Sequence, residues 1–301
     1  MSKKHPIIAV TGSSGAGTSS VKVAFEHMFH REGIKAAVIE GDSYHRFNRT
    51  EMKETMERHL KEGHEHFSHF GEEANLFQEL QDTYRQYAED GSGKWRLYLH
   101  NHEEAEPYSD LGLKPGEFTP WQDMTPDTDL MFYEGLHGCV VSDDVNMARY
   151  VDLKIGVVPV INLEWIQKIH RDTQMRGYSE EAVMDTILRR MHDYVHYIIP
   201  QFQHTDINFQ RVPVVDTSDP IIARDIPTPD ESLVVIRFKD PAQFNVDFPY
   251  LLQMLDRSWM SRRNSIVVPG GKMGLATELI LTPILQNILE ERRKLVKAEA
   301  A

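Results

Sequence analysis

Residues 7–20 read IIAVTGSSGAGTSS, and the way this stretch changes character decides the fold. Four apolar residues, Ile7 to Val10, follow Pro6 and make the short continuous run expected of a buried strand. At Thr11 the run gives way to glycine and small hydroxyl residues, and a helical pattern begins near Gly17. Gly12, Gly15 and Gly17 let the backbone turn tightly and bring its N–H groups close to a phosphate chain. The helix that follows offers the positive end of its dipole to the same anion.

The spacing resembles the P-loop pattern G-x-x-x-x-G-K-[ST], whose backbone cradles nucleotide phosphates. Gly12 is its first glycine, Gly17 its second and Ser19 the hydroxyl expected on Mg²⁺, with Ser13, Ser14, Ala16 and Ser20 in the same nucleotide-binding run. One position departs: Thr18 stands where the pattern has lysine. The cation expected on the β- and γ-phosphates must come from elsewhere or be absent.

Working outward, Val21, Phe25, Met28 and Phe29 fall at helical spacing and Gly33 ends that helix. Residues 36–39 form a second apolar run, closing on Glu40-Gly41-Asp42. Strand, helix, strand within so short a span is a βαβ unit, which implies a parallel pair and a right-handed crossover. Such sheets carry their chemistry outside the carboxyl ends of the strands, which puts Asp42 on the same edge as the phosphate loop. Residues 41–53, GDSYHRFNRTEMK, gather Asp42, His45, Arg46, Arg49 and Lys53, a carboxylate base beside cations able to grip a second phosphate. The apolar run 130–133 stops at Glu134-Gly135, the shape of a Walker B element that orients Mg²⁺ or its waters. Further strands are expected at 151–158, 212–215, 233–238 and 265–268.

Residues 54–127 turn polar and irregular and are expected to cover the site and exclude water from it. Within them a helix is expected over 76–87, a turn at 91–93, a strand at 95–99 and a Pro/Gly loop at 107–120. His59, His64, His66 and His69 lack the compact i, i+4 histidine pair with a partnering glutamate that marks a metal site. In residues 162–176, Leu163, Ile166 and Ile169 make an apolar face, while Lys168, Asp172 and Arg176 step along another with Arg171 beside them. Those cations either pair with their own helix in solvent or supply the charge that Thr18 withholds. Ser179 caps the next helix; Val183, Ile187, Met191, Tyr194, Val195 and Ile198 form its inner face, and Pro200 stops it. The tail, 272–301, is helical, with a break or restart at Thr282-Pro283.

The 301 residues show no repeat and no long linker, so a single α/β domain over 1–301 is expected. A net charge of −13 argues against nucleic acid or an anionic membrane as partner, so any phosphorylated ligand needs a local basic cluster. With Cys139 the one cysteine, no intrachain disulfide can form. The first strand begins too early to leave room for a signal peptide, and no apolar run is long enough to span a membrane. A cytoplasmic location is expected.

Residues 168–181, KIHRDTQMRGYSEE, resemble the signature of the phosphoribulokinase family, and GSSGAGTSS, EGDSYHRFNR, SHFGEEANLF, FYEGLHG and HTDINFQRVPVVDTS agree with it. The resemblance runs from Lys3 to beyond Ile284 and is to the shorter bacterial type, which also has threonine at the loop's lysine position. It implies a P-loop kinase fold: a central mixed sheet flanked by helices, with a helical and irregular insertion covering the site. It implies ATP-dependent phosphorylation of D-ribulose 5-phosphate at its 1-hydroxyl in the Calvin cycle, with Mg²⁺. Carried onto matching positions, Asp42 is the base, Lys168 and Asp172 are catalytic, and Ser19, Asp42 and Glu134 serve the metal. His45, Arg49, Lys53, Tyr98, His100, Arg171 and Arg176 bind the sugar phosphate. It further implies a homo-octamer activated by NADH, with Arg31, Arg190, Arg237 and Arg262 at the effector site. Two other readings compete: a uridine-kinase-like P-loop kinase, and a nucleotide-binding regulator that has lost catalysis with the loop lysine.

Overall fold

Strand β1 (Ile7–Gly12) is buried along its whole length and leads to helix α1 (Thr18–Glu32). The structure is a computed structural model describing residues 4–13, 17–174, 177–223 and 225–299, with the side chains of Ser19 and Ser20 also outside the description. After α1 come β2 (Ala36–Glu40), α2 (Arg49–Lys61), α3 (Phe77–Asp90), β3 (Lys94–Trp95), α4 (His102–Ala105) and β4 (Gln122–Asp123). Then follow β5 (Leu130–Gly135), β6 (Leu153–Val157), α5 (Ile161–Gln174), α6 (Glu180–Asp193) and β7 (Ile207–Pro213). The chain ends with β8 (Ser232–Phe238), α7 (Phe248–Met254), β9 (Trp259–Arg262), β10 (Ser265–Pro269) and α8 (Met273–Glu299).

Eight strands form one mixed sheet in the order β2-β5-β1-β6-β7-β8-β10-β9, parallel as far as β7 and antiparallel beyond it. Alternation along β1 explains why its apolar run is continuous: Ile8 and Val10 face the core under α1 and α8, Ile7 and Ala9 the core under α3. A parallel sheet covered on both faces has no solvent side to fill with polar residues. Val21, Phe25, Met28 and Phe29 bury the inner face of α1, and Gly33 at φ 65° closes the helix through its N–H to the Phe29 and His30 carbonyls.

Several elements differ from expectation for identifiable reasons. The strand expected at 212–215 lies earlier, because Ile207 and Phe209 reach the core whereas Val214 and Val215 face solvent. The weak pattern at 265–268 is a fully buried strand inserted between β8 and β9. Val195 is 53% exposed rather than on an inner face, because α6 widens into a π-helical turn at Tyr194–Ile198 that shifts the register of its side chains. Pro200 does not end the segment; it sits near the start of a 3₁₀ turn, Ile199–Gln203, where its missing N–H is tolerated. Helix α8 runs unbroken through Pro283, held by Ile280, Leu281, Ile284 and Leu285 in the core. The strand expected at 95–99 shrinks to two residues, though Leu97 and Leu99 continue hydrogen bonding to Thr119 and Glu117. Among the described residues no helix is long and apolar enough to cross a membrane.

Candidate active site

The site forms where the parallel strands end. Register pairs Glu134 of β5 with both Val10 of β1 and Glu40 of β2, so the phosphate loop, Glu134 and the turn after Glu40 share one edge. Gly12 must be glycine: a Cβ there would lie 2.7 Å from the Val157 carbonyl oxygen and 2.8 Å from Thr18 Cγ2. Gly17 takes φ 99°, in the left-handed region where side chains are costly, to launch α1. Ser14, Gly15, Ala16 and Arg176 lie outside the described residues, as do the side chains of Ser19 and Ser20.

Asp42 stands in a 3₁₀ turn, Gly41–Tyr44, directly after β2, with its carboxylate 38% exposed. Two imidazoles flank it: His45 Nε2 is 3.6 Å from Oδ1 and His100 Nε2 is 3.6 Å from Oδ2. Burial holds the His45 pKa below its ordinary value against the pull of Asp42, so the ring is neutral at physiological pH. Arg49 begins α2 behind a capping box in which Asn48 accepts from the Thr50 and Glu51 amides and Glu51 accepts from the Asn48 amide. Its guanidinium donates to the His100 carbonyl at 2.9 Å, and Tyr98 packs its ring 4.9 Å from that of His100. Asp42, His45, Arg49, Tyr98 and His100 therefore gather in one place, while Lys53 lies one turn further along α2 and is exposed.

Facing them is α5. Lys168 and Asp172 are 7% and 5% exposed, so their face of the helix is turned inward rather than laced by solvated ion pairs. Lys168 donates to Asp172 at 2.5 Å and Arg171 to the other carboxylate oxygen at 3.0 Å. Burial and the nearby Arg190 lower the Lys168 ammonium to about 8, against the pull of Asp172. For Asp172, burial is outweighed by the Lys168 hydrogen bond and the Arg171 charge, and its carboxyl lies below the usual range. Burial raises the Glu134 carboxyl against the opposing pull of Thr18 and Lys22, and Lys22 itself donates to Glu40 at 2.6 Å.

Among the described residues no cluster of three or more His, Cys, Asp or Glu side chains could hold a metal by protein ligands alone. Mg²⁺ commonly takes one or two carboxylates and completes its shell with phosphate oxygens and water. Asp42 lies close enough to Glu134 for its charge to help raise the Glu134 carboxyl, and the pair fits a metal that arrives with a nucleotide. A further sign of a ligand surface is Ser13 Oγ, fully buried and, among the described residues, lying against Glu164 and Tyr194 without a hydrogen bond of ordinary geometry.

Sequence reasoning missed Glu164 and the position of Arg190. Both line a recess with Phe70, Trp165, Lys168, Ile187, Met191 and Tyr194. Glu164 sits one turn before Lys168 on the same face, a spacing that could have flagged it. Its carboxylate accepts from the Tyr194 hydroxyl at 3.2 Å and faces Ser13 without a hydrogen bond of ordinary geometry. Burial raises its pKa from 4.5 to about 7. The folded protein thus keeps a proton there that the unfolded chain gives up, a stabilising preference complete below about 4.5 and lost as pH rises through about 7. Urea unfolding of wild type and Glu164→Gln should show their stability difference changing by about 2–3 kcal/mol between about pH 5 and pH 8. A constant difference would place the Glu164 pKa in the ordinary range.

Of the other arginines singled out, Arg31 on α1 donates to Glu278 and Thr282 of α8, both at 3.0 Å. Arg237 and Arg262 flank Ser265 across β8, β10 and β9. Arg190, by contrast, stands in the cleft with its guanidinium 5.1 Å from the Phe70 ring centroid.

A strand–phosphate loop–helix at the head of a mostly parallel sheet, carboxylates at the ends of β5 and β2 and a buried lysine on α5 define a P-loop kinase. Comparison with known proteins narrows this. The family model described as Phosphoribulokinase / Uridine kinase family matches residues 7–218, and the chain belongs to that family. Phosphoribulokinase 2 of Cereibacter sphaeroides is 60% identical over 294 residues, covering 98% of this chain and 99% of that one. The chromosomal phosphoribulokinase of Cupriavidus necator is 61% identical over 294 residues, with 98% and 99% covered. The solved structure of phosphoribulokinase from Rhodobacter spheroides superposes with a TM-score of 0.88 at 58% identity, covering 97% of this chain and 100% of that one.

Proposed function

We propose that this chain transfers the γ-phosphoryl group of ATP to the 1-hydroxyl of D-ribulose 5-phosphate, giving ribulose 1,5-bisphosphate for the Calvin cycle. The observation that carries the reading is the Asp42 carboxylate, held between His45 and His100 on the edge that also carries the phosphate loop and Glu134. The near full-length likeness to bacterial phosphoribulokinases supports the choice of acceptor.

Phosphoryl transfer asks the protein for alignment, charge neutralisation and a placed base rather than covalent chemistry. Asp42 accepts the proton of the attacking hydroxyl as the new O–P bond forms and the bond to the departing ADP oxygen breaks. Lys168, fixed by Asp172, supplies positive charge to the transferring group in place of the lysine missing at Thr18. His45, Arg49, Tyr98, His100, Arg171 and Arg176, with Lys53 at the rim, hold the sugar phosphate, arginine offering a planar fork to its oxygens. Residues 12–20 hold the nucleotide phosphates. Mg²⁺, served by Ser19, Asp42 and Glu134, would neutralise charge on the β- and γ-phosphates when bound. The chain works as one domain, its residues 54–127 covering the site, in the cytoplasm and with neither nucleic acid nor membrane as partner. Assembly into a homo-octamer and activation by NADH through Arg31, Arg190, Arg237 and Arg262 belong to the same proposal.

The test is ADP release from Mg-ATP with and without ribulose 5-phosphate, each with and without NADH. Turnover dependent on the sugar phosphate and raised by NADH is expected; turnover indifferent to NADH would remove the effector assignment alone. ATP binding without turnover in any condition would overturn the kinase reading. In the same assay Arg49→Ala should raise KM for the sugar phosphate by about 10-fold or more, the cost of losing a charged contact. A rise confined to ATP would contradict the role given to Arg49.

A further inference from the structure

Arg96 lies just after β3, in the segment that covers the site, and nothing in its local sequence marks it out. Its guanidinium reaches the turn that carries Asp42 at two points. Nε donates to the Ser43 carbonyl at 2.8 Å and Nη2 to the His45 carbonyl at 2.7 Å. The same group is held by aromatic rings, with Cζ 3.7 Å from the centroid of Phe118 and 4.6 Å from that of Trp121. Tyr44, between the two chelated carbonyls, adds a third tie: its hydroxyl donates to the Lys94 carbonyl at 2.8 Å. The Tyr44 ring also meets Trp121 edge-on, with centroids 5.4 Å apart. Residues 43–45 are thus fastened to residues 94–96 from both sides.

The chemistry of this clamp is specific to arginine. Two carbonyls at a fixed separation match two N–H groups of a rigid fork, and the flat cation stacks on aromatic faces. Lysine keeps the charge but offers a single point of donation on a flexible stem. Burial lowers the Arg96 pKa to about 10, which leaves it a cation at neutral pH.

We infer that Arg96 is a positioning residue: by chelating the Ser43 and His45 carbonyls it sets the direction of the Asp42 carboxylate and the His45 ring toward the acceptor hydroxyl. Arg96 touches neither substrate in this role. It makes the covering segment part of the catalytic geometry, so that the two residues flanking the reacting hydroxyl keep their aim only while that segment is seated. The inference rests on Asp42 being the base, and the experiment separates the two.

Arg96→Lys, Arg96→Ala and Phe118→Leu would be compared with wild type and Asp42→Asn for kcat, for KM of each substrate and for thermal unfolding. A displacement of about 1 Å in a catalytic group costs about 10²-fold in rate, so Arg96→Lys should lose about that factor in kcat per mole of folded enzyme. Its KM for ATP should stay within about 2-fold, because the phosphate loop is not held by Arg96, and Phe118→Leu, which keeps both hydrogen bonds, should lose less. A lowered Tm with unchanged kcat per folded enzyme would overturn the inference and leave Arg96 a structural brace. Equal damage to ATP binding and turnover would also overturn it. If Arg96→Ala does not fold, the lysine and Phe118 variants still decide the matter. An inactive Asp42→Asn beside a fully active Arg96→Lys would remove only this inference, whereas an active Asp42→Asn would remove the base itself.

Discussion

Asp42→Ala is expected to cut kcat by about 10²–10⁴-fold or more while leaving ATP binding largely intact. The size follows from the work asked of the residue. A sugar hydroxyl is a poor nucleophile with its proton attached, and the carboxylate beyond β2 is the group placed to take it. His45 and His100 approach that carboxylate from both sides, each with a ring nitrogen 3.6 Å from one of its oxygens. Steady-state kinetics with ribulose 5-phosphate, together with a direct nucleotide-binding measurement, check the result. Near-normal turnover in the variant would take the role of base away from Asp42.

Lys168 carries the second large effect. Lys168→Met should lower kcat by about 10²–10³-fold, the usual loss when one donor aimed at developing charge is removed from a water-excluded site. The variant leaves Asp172 with Arg171 still bonded at 3.0 Å, so the helix keeps a partner for its buried carboxylate. The same residue predicts a pH dependence. Its ammonium is needed in the charged form, and burial beside Arg190 lowers its pKa to about 8. In the free enzyme the charge is therefore present below about 8 and lost as pH rises through that value, so kcat/KM for ATP should fall on the alkaline side there. Lys168→Arg, which stays charged at any accessible pH, should move that limb upward even if its turnover is reduced. An alkaline limb that does not move would assign it to another group.

The proposed binding of a triphosphate by a P-loop without its lysine draws on the charges of the cleft. Thr18 opens α1 where the lysine would be, while Lys168 of α5 is buried and Arg190 of α6 lines the same recess. Lys168 is tied to Asp172, so its charge is partly balanced before any ligand arrives. That balance makes the burial of an ammonium tolerable, since an unpaired buried charge would cost several kcal/mol. Lys22 plays the complementary part on the carboxylate side, pairing with Glu40 and easing the crowding of Glu40, Asp42 and Glu134.

Much of this was legible in the chain itself because it depends on local spacing. The run 7–10, the glycines after it and the period of Val21, Phe25 and Met28 give strand, loop and helix without reference to distant residues, and Asp42 and Glu134 follow as strand-end carboxylates. Ser179 reads as a cap, and its hydroxyl accepts from the Ala182 amide. The family signature carried the rest of the functional reading through residues 168–181. What sequence could not decide depends on long-range packing or on a change of helical period. Whether the Lys168 face of α5 is solvated or buried turns on Tyr194 and Arg190 of the following helix, and the π turn that exposes Val195 has no counterpart in a pattern read at 3.6 residues per turn. Strand β10 looks weak in isolation and is central only because β8 and β9 close on both its sides.

The sequence by itself determined the phosphate loop, the parallel βαβ start, the strand-end acids and the kinase family, since each is written within a few residues and needs only local geometry. Tertiary structure alone decided that His100 and His45 meet on Asp42, that Glu164 lies buried against Ser13 and Tyr194, and that Arg96 grips the Asp42 turn. Those contacts join residues separated by up to 151 positions, a pairing that only the register of the sheet and the docking of residues 94–100 can fix.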